Sequence, residues 1–275
     1  MVDVNEQRSE TDVGLADLAD RLRVAVCEAG ALALAKFGSP MKNWIKGKNS
    51  PVCEADIEVD LLLRDRLMGA APGYGWLSEE SADAPDRLAA RRVWIVDPID
   101  GTRGFIAGRT DWAVSAALVE DGRPVAAALF APATDEMFFA TRGAGAARNG
   151  EPIRAGGQAH LAGARFAGPV RRLERLAAVE PGIEMVPKIF SLALRIAGVA
   201  SGALDGALAG PNSHDWDLAA ADLLVHEAGG ALTSLDGRPP IYNRPHPVHG
   251  ALVAAGRARH AALMALVRDR KIDLA

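Results

Sequence analysis

The segment Arg92-Val93-Trp94-Ile95-Val96 runs directly into Asp97-Pro98-Ile99-Asp100-Gly101-Thr102, and no other stretch restricts the fold as tightly. Its first five residues form a short apolar run between charges, the pattern of a buried strand. Two aspartates at the end of such a strand cannot both be satisfied by burial. Proline fixes φ and removes a donor, so the backbone there is stiff. Gly101 admits an unusual backbone angle and the close approach of a ligand, and the N–H groups after it can cradle an anion. Two carboxylates, a carbonyl and free amides on one rigid turn suit Mg²⁺ with a phosphate, because Mg²⁺ takes oxygen ligands and keeps waters and substrate phosphate around it. An ordinary Asp-rich turn would carry the same letters.

Other acidic residues weigh against that plainer explanation. Glu79-Glu80 follows the apolar stretch Tyr74 to Leu77, again at an expected strand end. Asp217 falls in the first turn of a strongly patterned helix, with Asp215 as the expected N-cap, and Asp56 opens another helix after Ser50-Pro51-Val52-Cys53-Glu54-Ala55. Taken singly, these are an exposed charged loop and carboxylates favoured by a helix dipole. Familiar alternatives are missing: there is no G-x-S-x-G, no Walker loop and no H-E-x-x-H, and Gly143-Ala144-Gly145 lacks the third glycine of a dinucleotide loop because position 148 is arginine. His246 and His249 lie in a Pro-rich loop that reads as a solvated turn rather than a metal site.

The 275 residues carry 31 Lys+Arg against 35 Asp+Glu, and this net charge of -4 without a basic run argues against a binder of nucleic-acid polymers. Cys27 and Cys53, the only cysteines, offer neither a disulfide framework nor a zinc spacing, which suits a reducing compartment. With a polar amino terminus and no apolar run of membrane-spanning length, the chain is expected to be cytoplasmic and without a membrane partner.

Periodicity predicts helices over about 12–37 and 54–68, then an antiparallel meander from Trp112 to Ile153 with its hairpin turn at Asp121-Gly122. The second half alternates: helix 189–200, strand 203–208, helix 216–228, strands near Leu232 and Leu252, and helix 258–268. That order predicts α+β in the first half and an α/β layer with a partly parallel sheet in the second. The boundary is expected near Gly156-Gly157, giving an N-terminal part, 1–155, with the acidic motifs and a C-terminal part, 156–275, that completes the site.

VWIVDPIDGTRGF (93–105), WLSEESAD (76–83), SPVCEAD (50–56) and WDLAAADLLVHEAGG (216–230) together resemble the inositol monophosphatase superfamily in order and spacing, over nearly the whole chain. The resemblance implies a layered α-β-α-β-α sandwich, a homodimer, and hydrolysis of small phosphate monoesters with two or three Mg²⁺ ions. It implies Glu79, Asp97, the Ile99 carbonyl, Asp100 and Asp217 as metal ligands, with Glu80 supporting its neighbour. Thr102 and Asp56 would activate the attacking water, and the amides of Gly101 and Thr102 would hold phosphate oxygens. The chemistry agrees, because carboxylates gathered this closely repel by several kcal/mol at an intermediate dielectric, on the order of 4 kcal/mol per pair, unless cations intervene.

Substrate choice rests on fewer residues. In inositol phosphatases a glutamate seven residues before the W-D aspartate contacts sugar hydroxyls, and here that position is Gly210. Gly210-Pro211-Asn212, Arg103 and Phe105 resemble instead the 3'(2'),5'-bisphosphate nucleotidase branch, where a second phosphate calls for a cation. Ser191 and Arg195 stand in part for that branch's G-S-S-x-K run. The expectation is hydrolysis of adenosine 3',5'-bisphosphate to AMP and phosphate. The alternatives are an inositol-1-phosphate or other sugar phosphatase, a histidinol-phosphate enzyme, and a non-catalytic metal- or nucleotide-binding scaffold.

Overall fold

A computed structural model describes residues 14–47, 50–269 and 272–274. Seven helices are found among them: α1 (Leu15–Lys36), α2 (Glu54–Ala70), α3 (Thr102–Ile106), α4 (Val170–Val179), α5 (Leu192–Ala200), α6 (Asp215–Glu227) and α7 (Arg257–Arg268). The first helix was expected to begin at Asp12, which lies outside the described residues.

Strands β1 (Asn43–Lys46) and β2 (Ser50–Cys53) form an antiparallel hairpin ahead of α2. A seven-stranded sheet follows in chain order: β3 (Gly75–Ser78), β4 (Arg92–Asp100), β5 (Ala113–Glu120), β6 (Arg123–Ala131), β7 (Glu136–Thr141), β8 (Gly145–Arg148) and β9 (Glu151–Pro152). Only β3 and β4 are parallel, and the rest is the expected meander.

The second sheet contains β10 (Arg165–Ala167), β11 (Glu184–Met185) and β12 (Gly206–Ala209), then β14 (Gly230–Ser234) and β16 (Leu252–Gly256), in the order β11-β10-β12-β16-β14. It is partly parallel, at β10–β11 and β10–β12. Between its members, β13 (Ser213–His214) and β15 (Val248–His249) pair separately.

Side-chain alternation along the strands builds the layers. In the first sheet Trp94, Val96, Val114, Ala116 and Leu118 face α1 and α2, while Val93, Ile95, Ala117, Val119 and Leu129 face α5 and α6. In the second, Ala207, Ala209 and Ala254 face the same α5–α6 layer, and Leu208 and Val253 face α4 and α7. The order is therefore helix, sheet, helix, sheet, helix, as expected. Helix α6 touches both sheets, which explains its near-continuous burial from Leu218 to Val225. The small residues Ala219, Ala220 and Ala221 let both sheets approach it. Among the described residues, no helix is long and apolar enough to cross a membrane.

Candidate active site

The acidic residues meet where β3, β4, α2, α3 and α6 converge. On a regular strand, residues three apart point to opposite faces, so Asp97 and Asp100 would be separated by the sheet. The register prevents this: Asp97 opposes Ser115 and Asp100 opposes Ala113, so three steps on β4 match two on β5. The extra residue is a bulge at Pro98-Ile99, where proline has no ladder donor to lose, and it turns both carboxylates the same way. Gly101 ends the strand at φ 96°, and a Cβ there would lie 3.0 Å from the Ser191 nitrogen and 3.1 Å from the Asp111 carbonyl. Only glycine fits this turn, from which α3 starts at Thr102.

Two helices deliver carboxylates by the same local device. Asp56 is the third residue of α2 and its Oδ2 accepts the Cys53 N–H (2.8 Å) and Sγ–H (2.8 Å). Asp217 is the third residue of α6 and accepts the His214 N–H at 2.7 Å. Both complete capping boxes at helix N-termini, where the dipole favours negative charge. This corrects the expectation for Asp215: the cap is His214, and Asp215 is the first helical residue, with its side chain turned elsewhere.

Oxygens of Asp97, Asp100 and Asp217 all lie within 4.8 Å of one another. Asp97 is buried, and its Oδ1 has no hydrogen-bond partner. Burial first, then the charges of Glu79, Asp100, Asp217 and Asp56, pushes the Asp97 carboxyl well above the usual range. Asp217 is raised in the same sense by burial and then by Asp100. Asp100 rises to about 6, mainly by burial, against the opposing bonds from Ser191 Oγ (2.5 Å) and the amides of Ala193 (2.6 Å) and Leu192 (3.2 Å).

Glu79 continues β3, donating its N–H to the Val96 carbonyl, and accepts Ser50 Oγ at 3.2 Å. Glu80 is turned to Lys46, whose Nζ lies 2.9 Å from Glu80 Oε1 and 3.6 Å from Glu79 Oε1. Burial opposes the Lys46 charge, but these carboxylates outweigh it and its pKa is raised. Burial likewise lifts Glu80 to about 7.

Sequence reasoning missed both Lys46 and Asp60. Asp60 takes Ser78 Oγ and Ser81 Oγ at 2.5 Å each and so anchors the Glu79-Glu80 segment to α2. Its spacing of four from Asp56, on one helix face, was the available signal.

Thr102 Oγ1 lies 3.1 Å from Asp56 Oδ1 and 3.0 Å from the Ile99 carbonyl. Its single hydrogen serves one of them at a time. Burial raises Asp56 to about 6, although the bonds from Cys53 and Thr102 oppose the shift.

The residues expected to touch substrate divide. Arg103 is exposed on α3 beside the cluster. Ser191 is fully buried, caps α5 through Leu194 N and donates to Asp100, so its hydroxyl orients a carboxylate instead of meeting a ligand. Arg195 is likewise taken up within the protein. Its Nη1 and Nη2 donate to the carbonyls of Leu208 (3.2 Å) and Ile189 (2.9 Å), tying α5 to β12.

The family model for the inositol monophosphatase family matches residues 17–271. The chain belongs to that family. It is 36% identical over 224 residues to an inositol-1-monophosphatase of Rhizobium meliloti (strain 1021), covering 78% of this chain and 84% of the relative. It is 37% identical over 223 residues to a histidinol-phosphatase of Mycobacterium tuberculosis, covering 76% and 84%. Among solved structures, the Thermotoga maritima IMPase has a TM-score of 0.80 at 26% identity, covering 91% of this chain and 96% of that one.

As a member of the inositol monophosphatase family, the chain is a metal-dependent phosphoric monoester hydrolase acting on small phosphate esters. The residues fit a metal. The donor set is all oxygen, and the orphaned Asp97 Oδ1 has no protein hydrogen to satisfy it.

Proposed function

We propose that this chain is a Mg²⁺-dependent phosphomonoesterase whose substrate carries a second anionic group on the leaving-group side, with adenosine 3',5'-bisphosphate as the type. The observation that carries the substrate reading is at Gly210. A Cβ there would lie 3.5 Å from Arg172 Nη1 and 3.9 Å from Pro169 Cγ. Arg172, on α4, is held by its Nε on the Leu274 carbonyl at 2.6 Å, with Nη1 directed at Gly210. A cation therefore stands beside the position where the resemblance to inositol phosphatases would place a glutamate. The local charge is reversed.

Glu79, Asp97, Asp100, Asp217 and the Ile99 carbonyl would hold two or three Mg²⁺ ions. Bound there, the metal lowers the pKa of water and neutralises charge developing on the transferred phosphoryl group. Gly101 and Thr102 offer amides at the start of α3, which have no partner inside the helix, to the phosphate oxygens. Asp56 and Thr102 orient the attacking water and take its proton, and Arg103 faces the second anionic group. Ser191 and Arg195 position these groups without touching substrate.

A second reading, an inositol-1-phosphate phosphatase, is favoured by the names of relatives at 33–36% identity. The ratio of kcat/KM for adenosine 3',5'-bisphosphate and inositol-1-phosphate separates them. Arg172→Ala is expected to lower the first by ~10–100-fold, the worth of a charge-assisted contact, with a much smaller effect on the second. Gly210→Glu, whose Cβ would meet Arg172 and Pro169 only at ordinary contact distance, should shift preference toward inositol-1-phosphate. If wild type prefers inositol-1-phosphate, or Arg172→Ala lowers both equally, the bisphosphate reading falls.

The metal assignment has a stability signature. Between the ordinary carboxylate range and about 6, folded Asp56 and Asp100 keep protons that the unfolded chain has released. Stability of the metal-free protein therefore falls as pH rises through that window. Mg²⁺ binding grows as the carboxylates ionise. Scanning calorimetry is expected to show a larger rise in Tm at pH 8 than at pH 5 on adding the same Mg²⁺ concentration, about 5 °C or more at pH 8 where that concentration is 100 times Kd. An equal shift at both pH values would contradict the assignment.

A further inference from the structure

Outside the carboxylate cluster, Asp215 is fully buried and His249 is 7% exposed. The Pro-rich loop holding His249 was expected to be a solvated turn. Instead, His249 Nε2 lies 2.7 Å from Asp215 Oδ1, and Asp215 Oδ2 accepts the Asn243 N–H at 2.7 Å. The backbone adds to the tether: Asp215 N donates to the Pro247 carbonyl, Asn212 N donates to the His249 carbonyl, and β13 pairs with β15. Both oxygens of Asp215 are thus held by one segment, and Asp215 is the residue from which α6 starts, two before Asp217.

The same segment grips the other side of the site. Asn243 Oδ1 accepts Arg87 Nη1 at 2.7 Å, and Asn243 Nδ2 donates to the Arg87 carbonyl at 3.1 Å. Arg87 also reaches the Arg244 carbonyl with both terminal nitrogens and is locked to Asp83. Residues 83–87 are the turn that follows Glu79-Glu80 in the chain. Asn243 can serve both sides because it sits at φ 58°, a conformation asparagine tolerates, with its N–H toward Asp215 and its amide toward Arg87. Farther along, Tyr242 OH donates to Asp222 Oδ2 at 2.9 Å, fixing the segment to α6 two turns on.

We propose that residues 242–249 form a positioning strap. It sets the distance between the Glu79 side of the site and the first turn of α6, and His249 acts through Asp215 to hold Asp217 where a cation can use it. The inference rests on reading Asp217 and Glu79 as metal ligands. A plain structural staple would stabilise the fold without affecting cation affinity at equal foldedness; a positioning strap changes affinity first.

The test is calorimetric titration of the metal-free full chain with Mg²⁺ alone, together with far-UV circular dichroism and amide exchange. His249→Ala is expected to weaken Mg²⁺ binding by ~10-fold or more, as loss of a supporting partner does in metal sites. Exchange at 214–217 should quicken while the β4–β6 amides keep their protection. His249→Gln, which can still donate toward Asp215, should recover most of the affinity. Asn243→Gly keeps the backbone conformation and removes the two Asn243 side-chain bonds to Arg87, leaving those to the Arg244 carbonyl, and it should weaken binding without disturbing the Asp215–His249 pair. If His249→Ala does not fold, Asn243→Gly and His249→Gln decide the matter. Affinity within twofold of wild type in every folded variant overturns the strap. A wild type that takes up no Mg²⁺ overturns the metal reading beneath it, which is a distinct result.

Discussion

Asp97→Asn is expected to lower kcat by more than ~10²-fold and, in the same protein, to raise the Tm of the metal-free form. Few substitutions should do both. Asp97 is buried, one of its oxygens has no hydrogen-bond partner, and four neighbouring carboxylates push its pKa in the same direction. Without a cation its charge costs folding free energy, and replacing it with a neutral side chain of the same shape relieves that cost. With a cation bound, the same charge is what the site uses. Asparagine keeps the oxygen but loses the charge. Steady-state hydrolysis and thermal melts in EDTA, run on the same preparations, read the two effects side by side. A loss of activity with an equal loss of stability would make Asp97 an ordinary core residue. Full wild-type activity in excess EDTA would end the metal-based account.

The reason Asp97 and Asp100 were legible from sequence, while their common direction was not, lies in the bulge. The letters D-P-I-D show two acids at a strand end, but an interval of three gives opposite faces until the pairing with β5 is known. Asp56 and Asp217 were legible as helix-opening acids because capping is local, involving residues three apart. The supporting residues were invisible for the opposite reason. Lys46 meets Glu80 across 34 residues, Asp60 meets Ser78 across 18, and His249 meets Asp215 across 34. No periodicity reports such distances. Helix α4 went unpredicted although its ten residues set buried Leu173 and Leu176 among charged residues at helical spacing, so the reversal of charge at Gly210 through Arg172 was missed as well.

The proposed proton path is tested by treating Thr102 and Asp56 as a pair. Thr102→Ala and Asp56→Asn should each lower kcat by ~10²–10⁴-fold, the usual worth of a positioned acid–base group, with KM little changed. The decisive quantity is the double variant. Thr102 Oγ1 stands between Asp56 Oδ1 at 3.1 Å and the Ile99 carbonyl at 3.0 Å, and its one hydrogen can satisfy only one of them. When that hydrogen is directed to Asp56, a lone pair of Thr102 is open to accept a hydrogen from the attacking water. Removing Asp56 leaves the hydroxyl to settle on the Ile99 carbonyl, and removing Thr102 leaves Asp56 with no route to the water. Either loss disables the same path, so the double variant should be scarcely slower than the worse single one. Pre-steady-state phosphate release with a saturating substrate isolates the chemical step. Losses that multiply would show two independent contributions, with Asp56 acting chiefly in the capping box of α2 and Thr102 chiefly as a partner of the Ile99 carbonyl.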